Sequence, residues 1–79
     1  MWTEANDYLT RDFEFANFRA AFAFMTRVAF IAEELNHHPE WSNVYNKVTI
    51  ALTTHDAGNT VTQVDHDFAK ACDAVVAEN

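Results

Sequence analysis

An alternation of apolar and polar side chains over residues 8–15 is the first clear pattern in the chain. Leu9, Phe13 and Phe15 share one parity, whereas the other parity is polar. This period of two predicts a β-strand with one buried face. Arg11 interrupts the apolar parity, and we interpret it as an edge position where the aliphatic stem lies over the surface. The short mixed lead before this strand is assigned to part of an edge strand.

After Asn17, apolar residues recur at spacings of three and four, which are typical of an amphipathic helix of roughly five turns. We expect it over residues 17–35, with Asn17 as the N-cap. The stripe predicted to face the core is Phe18, Phe22, Met25, Ala29, Ala32 and Leu35. Off this stripe lie three further apolar residues, Phe24, Phe30 and Ile31. We favour a helix buried on two sides of one core; the alternative is a helix that also lines a subunit contact or a pocket.

A proline determines where this helix ends. His38 precedes Pro39, and a residue before proline is pushed out of the α region, so the helix is expected to end near Asn36. The doublet His37-His38 then lies in a rigid exit turn. Glu33 lies one helical turn before His37, which places a carboxylate near the imidazoles.

The segments 41–45 and 48–54 read as two strands joined by a tight turn at Asn46-Lys47, although one long strand is the alternative. Apolar residues of the second segment share one parity, so His55 is expected at a strand end on the less apolar face. Residues 56–60 form a loop by composition.

A second helix is predicted to begin after Thr62 as its N-cap, with Asp65 completing a weaker form of the capping box. Its apolar stripe is Phe68, Cys72 and Val75 or Val76. Because Cys72 is on that stripe, we favour a buried, inert thiol over a reactive one. His66 and Asp67 fall on the solvent side.

Composition limits the possible functions. The 79 residues are enough for one domain, residues 1–79, and 49% of them are hydrophobic, which is too rich for a disordered chain. Twelve acidic against five basic residues give a net charge of −7, which argues against nucleic-acid and anionic-membrane partners. The single cysteine and the lack of a signal-peptide or membrane-span pattern favour a cytoplasmic protein. A domain this small gains stability from self-association, so we expect an oligomer.

The candidates for chemistry are His37, His38, His55, Glu33 and Asp65, which lie at a helix exit, a strand end and a helix start. Imidazole is the side chain whose unperturbed pKa lies between pH 5 and 8, so this group suits proton transfer. Histidine and carboxylate side chains can also bind zinc, but no spaced His-x-x-x-His pair supports a metal site. Nucleophilic catalysis and phosphate binding lack their usual motifs.

Three motifs give the chain a resemblance to a known family. They are Glu33-x-x-x-His37-His38-Pro39-Glu40-Trp41, Asn43-Val44-Tyr45-Asn46-Lys47-Val48, and Thr53-Thr54-His55-Asp56-Ala57-Gly58 with a following Asp65. Together they resemble the signature of the pterin-4a-carbinolamine dehydratases over residues 2–73. The His-His-Pro core with a third, spaced histidine is the most specific part.

The resemblance implies an α+β fold, a four-stranded antiparallel sheet with helices packed on one face, assembled as a homodimer or homotetramer. It implies dehydration of 4a-hydroxytetrahydropterin to quinonoid dihydropterin, which recycles the cofactor of aromatic amino acid hydroxylases, with no metal or organic cofactor. The implied catalytic residues are His37, His38, His55 and Asp65. The implied substrate contacts are Glu33, His37, His38, Pro39, Thr54, His55, Asp56 and Ala57. We assign His37 and His55 to acid and base catalysis in either order, and His38 to substrate positioning.

The chain departs from the family pattern in two places. Family members usually carry a further helix before Trp2, which is missing here, and the loop between His55 and Asp65 is one residue longer than usual. The longer loop makes Asp67 an alternative acidic partner, although the register favours Asp65. A second hypothesis is a dimerisation or binding module without turnover, as in animal relatives that act as transcription cofactors; it would use the second apolar face of the 17–35 helix.

Overall fold

The computed structural model describes residues 1–78 and shows an α+β architecture. A short β-hairpin precedes a long helix, a second hairpin follows, and a helix ends the chain. In order, the elements are β1 (Thr3–Ala5), β2 (Tyr8–Glu14), α1 (Phe18–Leu35), β3 (Glu40–Val44), β4 (Lys47–Leu52), a 3₁₀ turn (His55–Ala57) and α2 (Gln63–Ala77). The four strands form one antiparallel sheet in the order β1-β2-β4-β3, with both helices on one face, which confirms the predicted fold class.

Two residues join the strands of each hairpin, and in both hairpins the first of these residues has a left-handed backbone. Asn6 and Asp7, at φ 55° and 66°, join β1 to β2, as in the turns that match the strand twist. Tyr45, at φ 50°, and Asn46 join β3 to β4, and Val44 pairs with Lys47. The predicted turn at Asn46-Lys47 and the predicted strand at 41–45 were therefore wrong by one residue. The strand predicted at 48–54 begins one residue earlier and ends two residues earlier, and one long strand is excluded.

The face of α1 that is buried differs from the face that was predicted to be buried. The residues that reach the core are Ala21, Phe24, Val28 and Ala32. Phe18 and Phe22 are 46% and 53% exposed, so the predicted stripe was wrong except at Ala32, which is buried, and at Met25, which is partly buried against the core. The helix is apolar on two faces, so spacing alone could not choose between them. Phe24 stacks against Phe13 and Phe15 of the β2 region, with ring centroids 4.8 and 5.0 Å away.

Arg11 was also misplaced. It lies on β2, which pairs with β1 on one side and β4 on the other, so it does not occupy an edge strand. Its guanidinium lies 4.4 Å from the centre of the Phe13 ring and forms a 2.6 Å ion pair with Asp73 of α2. The stem follows the core face of the sheet, and the charge is neutralised by the helix packed above it.

The helix starts and the buried thiol follow the predicted pattern, whereas the region after β4 departs from it. Asn17 caps α1 by accepting a hydrogen bond from the Ala20 amide at 2.9 Å, and Thr62 is the N-cap of α2. Cys72 is fully buried in the core, where burial raises the pKa of its thiol to about 12. Strand β4 ends at Leu52, however, so His55 opens the 3₁₀ turn instead of ending a strand. Thr53, just after β4, is buried and donates its hydroxyl to the Asp7 carbonyl.

Within residues 1–78, neither helix combines the length and the hydropathy that a bilayer crossing requires.

Candidate functional site

The histidine doublet lies in a tight turn at the end of α1, as predicted. Asn36 adopts a left-handed backbone at φ 50°, and its amide donates to the carbonyls of Ala32 and Glu33. The His37 amide also donates to the Ala32 carbonyl, at 3.0 Å. These bonds satisfy the last carbonyls of the helix and fix the direction in which His37 and His38 leave it.

An open cleft of about 370 Å³ lies between this exit turn and the end of β4. The walls come from two stretches of chain, residues 36–40 and 53–56: Asn36, His37, His38, Pro39, Glu40, Thr53, Thr54, His55 and Asp56. Three of the four histidines of the chain therefore line one cleft. Its volume is in the range of sites for small organic molecules.

Asp65 lies behind His37 and not in the cleft wall. Its side chain is fully buried, and one carboxylate oxygen is 2.5 Å from Nε2 of His37. The other oxygen accepts the Thr54 hydroxyl at 2.7 Å and the Thr62 amide at 2.8 Å. Because the single Thr54 proton points to Asp65, the Thr62 hydroxyl donates to Thr54 across their 2.8 Å contact.

These contacts keep Asp65 ionised at neutral pH. Burial raises the pKa of the Asp65 carboxyl, but hydrogen bonds from the Thr62 amide, His37 and Thr54 lower it by more, so its net pKa lies below the ordinary value of 3.8. An ionised carboxylate can only accept hydrogen bonds, so Nε2 of His37 carries a proton. In neutral His37, Nδ1 is then the nitrogen that is free to exchange a proton.

His38 is held by a different carboxylate. Its Nε2 is 2.7 Å from Glu33, on the last turn of α1, and both side chains are largely exposed. The predicted proximity of Glu33 to the imidazoles is therefore present, but its partner is His38 and not His37. An exposed pair of this kind contributes little to stability, although it restricts the ring of His38.

The third histidine has a partner that the sequence did not indicate. Nδ1 of His55 is 2.6 Å from Oδ1 of Asn59, four residues later in the loop. Thr54 was not recognised as a partner of Asp65 either, whereas the contact between the Thr62 amide and Asp65 is the capping box that the sequence predicted. Sequence spacing offers no signal for the Asn59 and Thr54 contacts, because each depends on how the loop between β4 and α2 folds back on itself.

The remaining predicted site residues lie outside the cleft wall. Ala57 is exposed at the end of the 3₁₀ turn and is not part of the wall. Asp67, the alternative acidic partner, is exposed and accepts a hydrogen bond from Gln63 at 2.9 Å, so the geometry places Asp65 beside His37 instead. Within residues 1–78, no group of three or more His, Cys, Asp or Glu side chains is arranged to hold a metal ion.

Comparison with known proteins gives a consistent result. The family model described as pterin 4 alpha carbinolamine dehydratase matches residues 1–75. A relative from Prochlorococcus marinus, named "Putative pterin-4-alpha-carbinolamine dehydratase", is 51% identical over 77 residues, covering 98% of this chain and 79% of its own. A relative of the same name from Solibacter usitatus is 54% identical over 76 residues, covering 96% of this chain and 79% of its own.

Two solved structures share the fold. A transcriptional coactivator/pterin dehydratase from Brucella melitensis has a TM-score of 0.88 and 42% identity, over 94% of this chain and 80% of its own. A pterin dehydratase-like protein described as a RuBisCO assembly factor in the alpha-carboxysome has a TM-score of 0.77 over 95% of this chain and 86% of its own; at 22% identity it supports the fold alone. The family match over residues 1–75 and the relatives above 50% identity lead to one conclusion: this chain belongs to the pterin-4a-carbinolamine dehydratase family.

Proposed function

We propose that the protein dehydrates 4a-hydroxytetrahydropterin to quinonoid dihydropterin in the cytoplasm, as a step in recycling the cofactor of aromatic amino acid hydroxylases. The observation that carries the proposal is the convergence of His37, His38 and His55 on one cleft in a member of this family. The pterin is the substrate, and the reaction uses side chains of the protein without a metal or an organic cofactor.

The chemistry needs two proton transfers. The bond between C4a and its hydroxyl breaks as that oxygen receives a proton and leaves as water, while the neighbouring ring nitrogen loses a proton as the new double bond forms. A protonated and a neutral imidazole can supply and accept these protons near neutral pH. We assign the pair to His37 and His55, in either order, since each extends into the cleft from a different wall.

The surroundings of His37 favour this role. Asp65 fixes its Nε2 proton and is itself held by Thr54 and Thr62, so the imidazole is oriented before substrate arrives. The carboxylate also stabilises the imidazolium that forms when His37 carries both protons. His38, held by Glu33, is assigned to positioning the pterin, together with contacts from residues 37–39 and 54–57.

The test is stopped-flow dehydration of synthetic 4a-hydroxytetrahydropterin by the purified protein. His37→Ala and His55→Ala are each expected to slow turnover by at least about tenfold, below the factor of about 10² to 10⁴ that one proton transfer can contribute. His66→Ala is the matched control, because His66 is exposed on α2 and outside the cleft. Wild-type rates in both cleft variants would contradict the assignment.

A second candidate function is a binding module without turnover. The observation that favours it is a shallow apolar pocket of about 250 Å³ on the exposed side of α1, formed by Phe22, Met25, Thr26, Ala29, Phe30 and Trp41. The Brucella structure is described as a coactivator as well as a dehydratase. The same surface is also where we propose that copies of this chain associate as a homodimer or homotetramer.

The pterin assay separates the two functions. Turnover by the wild-type protein supports the dehydratase, whereas pterin binding measured by calorimetry without turnover supports the binding module. Metal content of the same sample tests the metal-free reaction, because a stoichiometric metal would contradict it.

A further inference from the structure

We propose that Asn59 is a positioning residue that holds His55 in the tautomer protonated at Nδ1, so that Nε2 is the nitrogen that His55 offers to the substrate. The catalytic meaning of this arrangement rests on the proposed function, whereas the arrangement itself can be measured without it.

The contact determines which ring nitrogen carries the proton. Nδ1 of His55 lies 2.6 Å from the side-chain oxygen of Asn59. An amide oxygen accepts hydrogen bonds and cannot donate them, so Nδ1 of His55 must be the donor. In a neutral ring this leaves Nε2 without a proton and able to accept one.

The backbone explains why an asparagine suits this position. Gly58 and Asn59 both have left-handed backbones, at φ 85° and 59°, and asparagine tolerates that region better than most residues. The loop is closed by backbone bonds: the Asn59 amide donates to the Thr54 carbonyl at 3.1 Å and the Gly58 amide donates to the His55 carbonyl at 3.0 Å. The Asn59 side chain is therefore not needed to close the loop.

Asn59 acts through His55 and not on the substrate. It is absent from the cleft wall, whereas His55 is part of it. His55 is exposed, and among residues 1–78 its ring makes no other side-chain hydrogen bond. Without Asn59, the ring would be free to rotate and to exchange its tautomer. With Asn59, the two proposed acid–base residues use opposite nitrogens, because His37 is held at Nε2 by Asp65.

The direct test is the tautomer of His55, measured by ¹⁵N NMR of the histidine rings at about pH 8, where an ordinary imidazole is mostly neutral. The wild-type protein is expected to show Nδ1 of His55 protonated. Asn59→Gly keeps the left-handed backbone and removes the acceptor, so the signals should move toward the Nε2-protonated form. Asn59→Asp keeps an acceptor oxygen and should keep the wild-type tautomer.

The His37 signals serve as an internal control, because Asp65 and its partners are unchanged in both variants. An Nε2-protonated His55 in the wild type, or unchanged His55 signals in Asn59→Gly, would overturn the proposal. Circular dichroism of each variant verifies that the chain is folded.

The kinetic arm tests the link to catalysis. Asn59→Gly is expected to lower kcat by about tenfold with KM within about twofold, and Asn59→Asp should recover most of the rate. A rise in KM with kcat unchanged would indicate a direct substrate contact and overturn the positioning role. If the wild type shows no turnover, the proposed function fails, and the tautomer measurement alone decides the role of Asn59.

Discussion

Replacement of Asp65 by asparagine changes the charge behind His37 while preserving size and shape. In the wild type, the buried carboxylate accepts hydrogen bonds from His37, Thr54 and the Thr62 amide. In Asp65→Asn, the amide oxygen can still accept from Thr54 and Thr62, but the NH₂ group then faces Nε2 of His37. Two donors cannot share that contact, so His37 is expected to move its proton to Nδ1, on the cleft side.

The kinetic effect follows from the wrong tautomer. Neutral His37 would carry its proton on Nδ1, the nitrogen that is free to exchange a proton in the wild type, and it would lose the carboxylate that stabilises its protonated form. We expect dehydration to slow by a factor on the order of 10² to 10⁴, which is the range for loss of general acid–base catalysis or of its orienting carboxylate.

Stability should fall by less than is needed to unfold the domain. A hydrogen bond to a charged group contributes about 1.5–3 kcal/mol, against about 0.5–1.5 kcal/mol for a neutral one. Three bonds weakened from the charged to the neutral kind, at about 1 kcal/mol each, give a loss of about 3 kcal/mol, or about 12–24 °C in Tm for a domain of this size. A domain of 79 residues has about 4–12 kcal/mol in total, so the variant should remain folded.

The pH dependence gives an independent check. Because the folded-state pKa of Asp65 lies below 3.8, its stabilising contribution is complete above that pH and is lost as the pH falls through the folded-state value. The difference in stability between wild type and Asp65→Asn should therefore narrow in urea denaturation below about pH 4. Asp67→Asn is the matched control, since Asp67 is exposed and contacts Gln63. Wild-type turnover in Asp65→Asn, or a stability difference that does not narrow in acid, would refute this reasoning.

Three further predictions concern the core, the thiol and the exposed face of α1. Phe24→Ala should lower the free energy of unfolding in urea by about 3–5 kcal/mol because the ring is 1% exposed, and a loss below about 1 kcal/mol would contradict its place in the core. Cys72, whose thiol pKa burial raises to about 12, should not react with a disulfide reagent at about pH 8 until the protein is denatured; prompt reaction in the folded state would contradict its burial. Phe30→Glu, at a side chain that is 73% exposed, should reduce the mass seen by light scattering from that of an oligomer without loss of helix by circular dichroism; an unchanged mass would argue against this interface.

Much of the fold could be predicted because local patterns agreed with one another. The N-caps Asn17 and Thr62, the helix end near Asn36 and the buried parity of β4 each combine a period with a stop or start signal. Pro39 restricts the residue before it, which placed the exit turn correctly. These are local effects, so the sequence alone was sufficient.

Two predictions that failed depended on contacts distant in the chain, and a third depended on one unusual local turn. Phe22 and Phe24 are both apolar helix residues, and only packing against Phe13 decides that Phe24 is the one buried. Arg11 was expected at an edge because its charge partner, Asp73, lies 62 residues away. The turn at Tyr45 uses a left-handed backbone that tyrosine rarely adopts; the Asn43 side chain, which donates to the carbonyls of Tyr45 and Lys47, supports it.

In the candidate site, too, some features could be predicted from the sequence and others could not. The resemblance brought together the three histidines and Asp65, and the structure places all three histidines in one cleft with Asp65 directly behind His37. Their catalytic roles stay predictions. The contacts of Thr54 with Asp65 and of Asn59 with His55 were missed, because they arise from the fold of one loop and no spacing in the sequence indicates them. The contact of Thr62 with Asp65 was predicted as the capping box and is confirmed.

Because Asp65 forms hydrogen bonds with both Thr62 and His37, it links the local unfolding of two parts of the protein. The same carboxylate accepts the amide of Thr62, the N-cap of α2, and holds the ring of His37 in the exit turn after α1. Fraying of α2 from its beginning would therefore release His37 at the same moment, so the two events belong to one cooperative unit. The free energy of opening that hydrogen exchange measures at the Thr62 amide should therefore equal the free energy of releasing the His37 ring from Asp65.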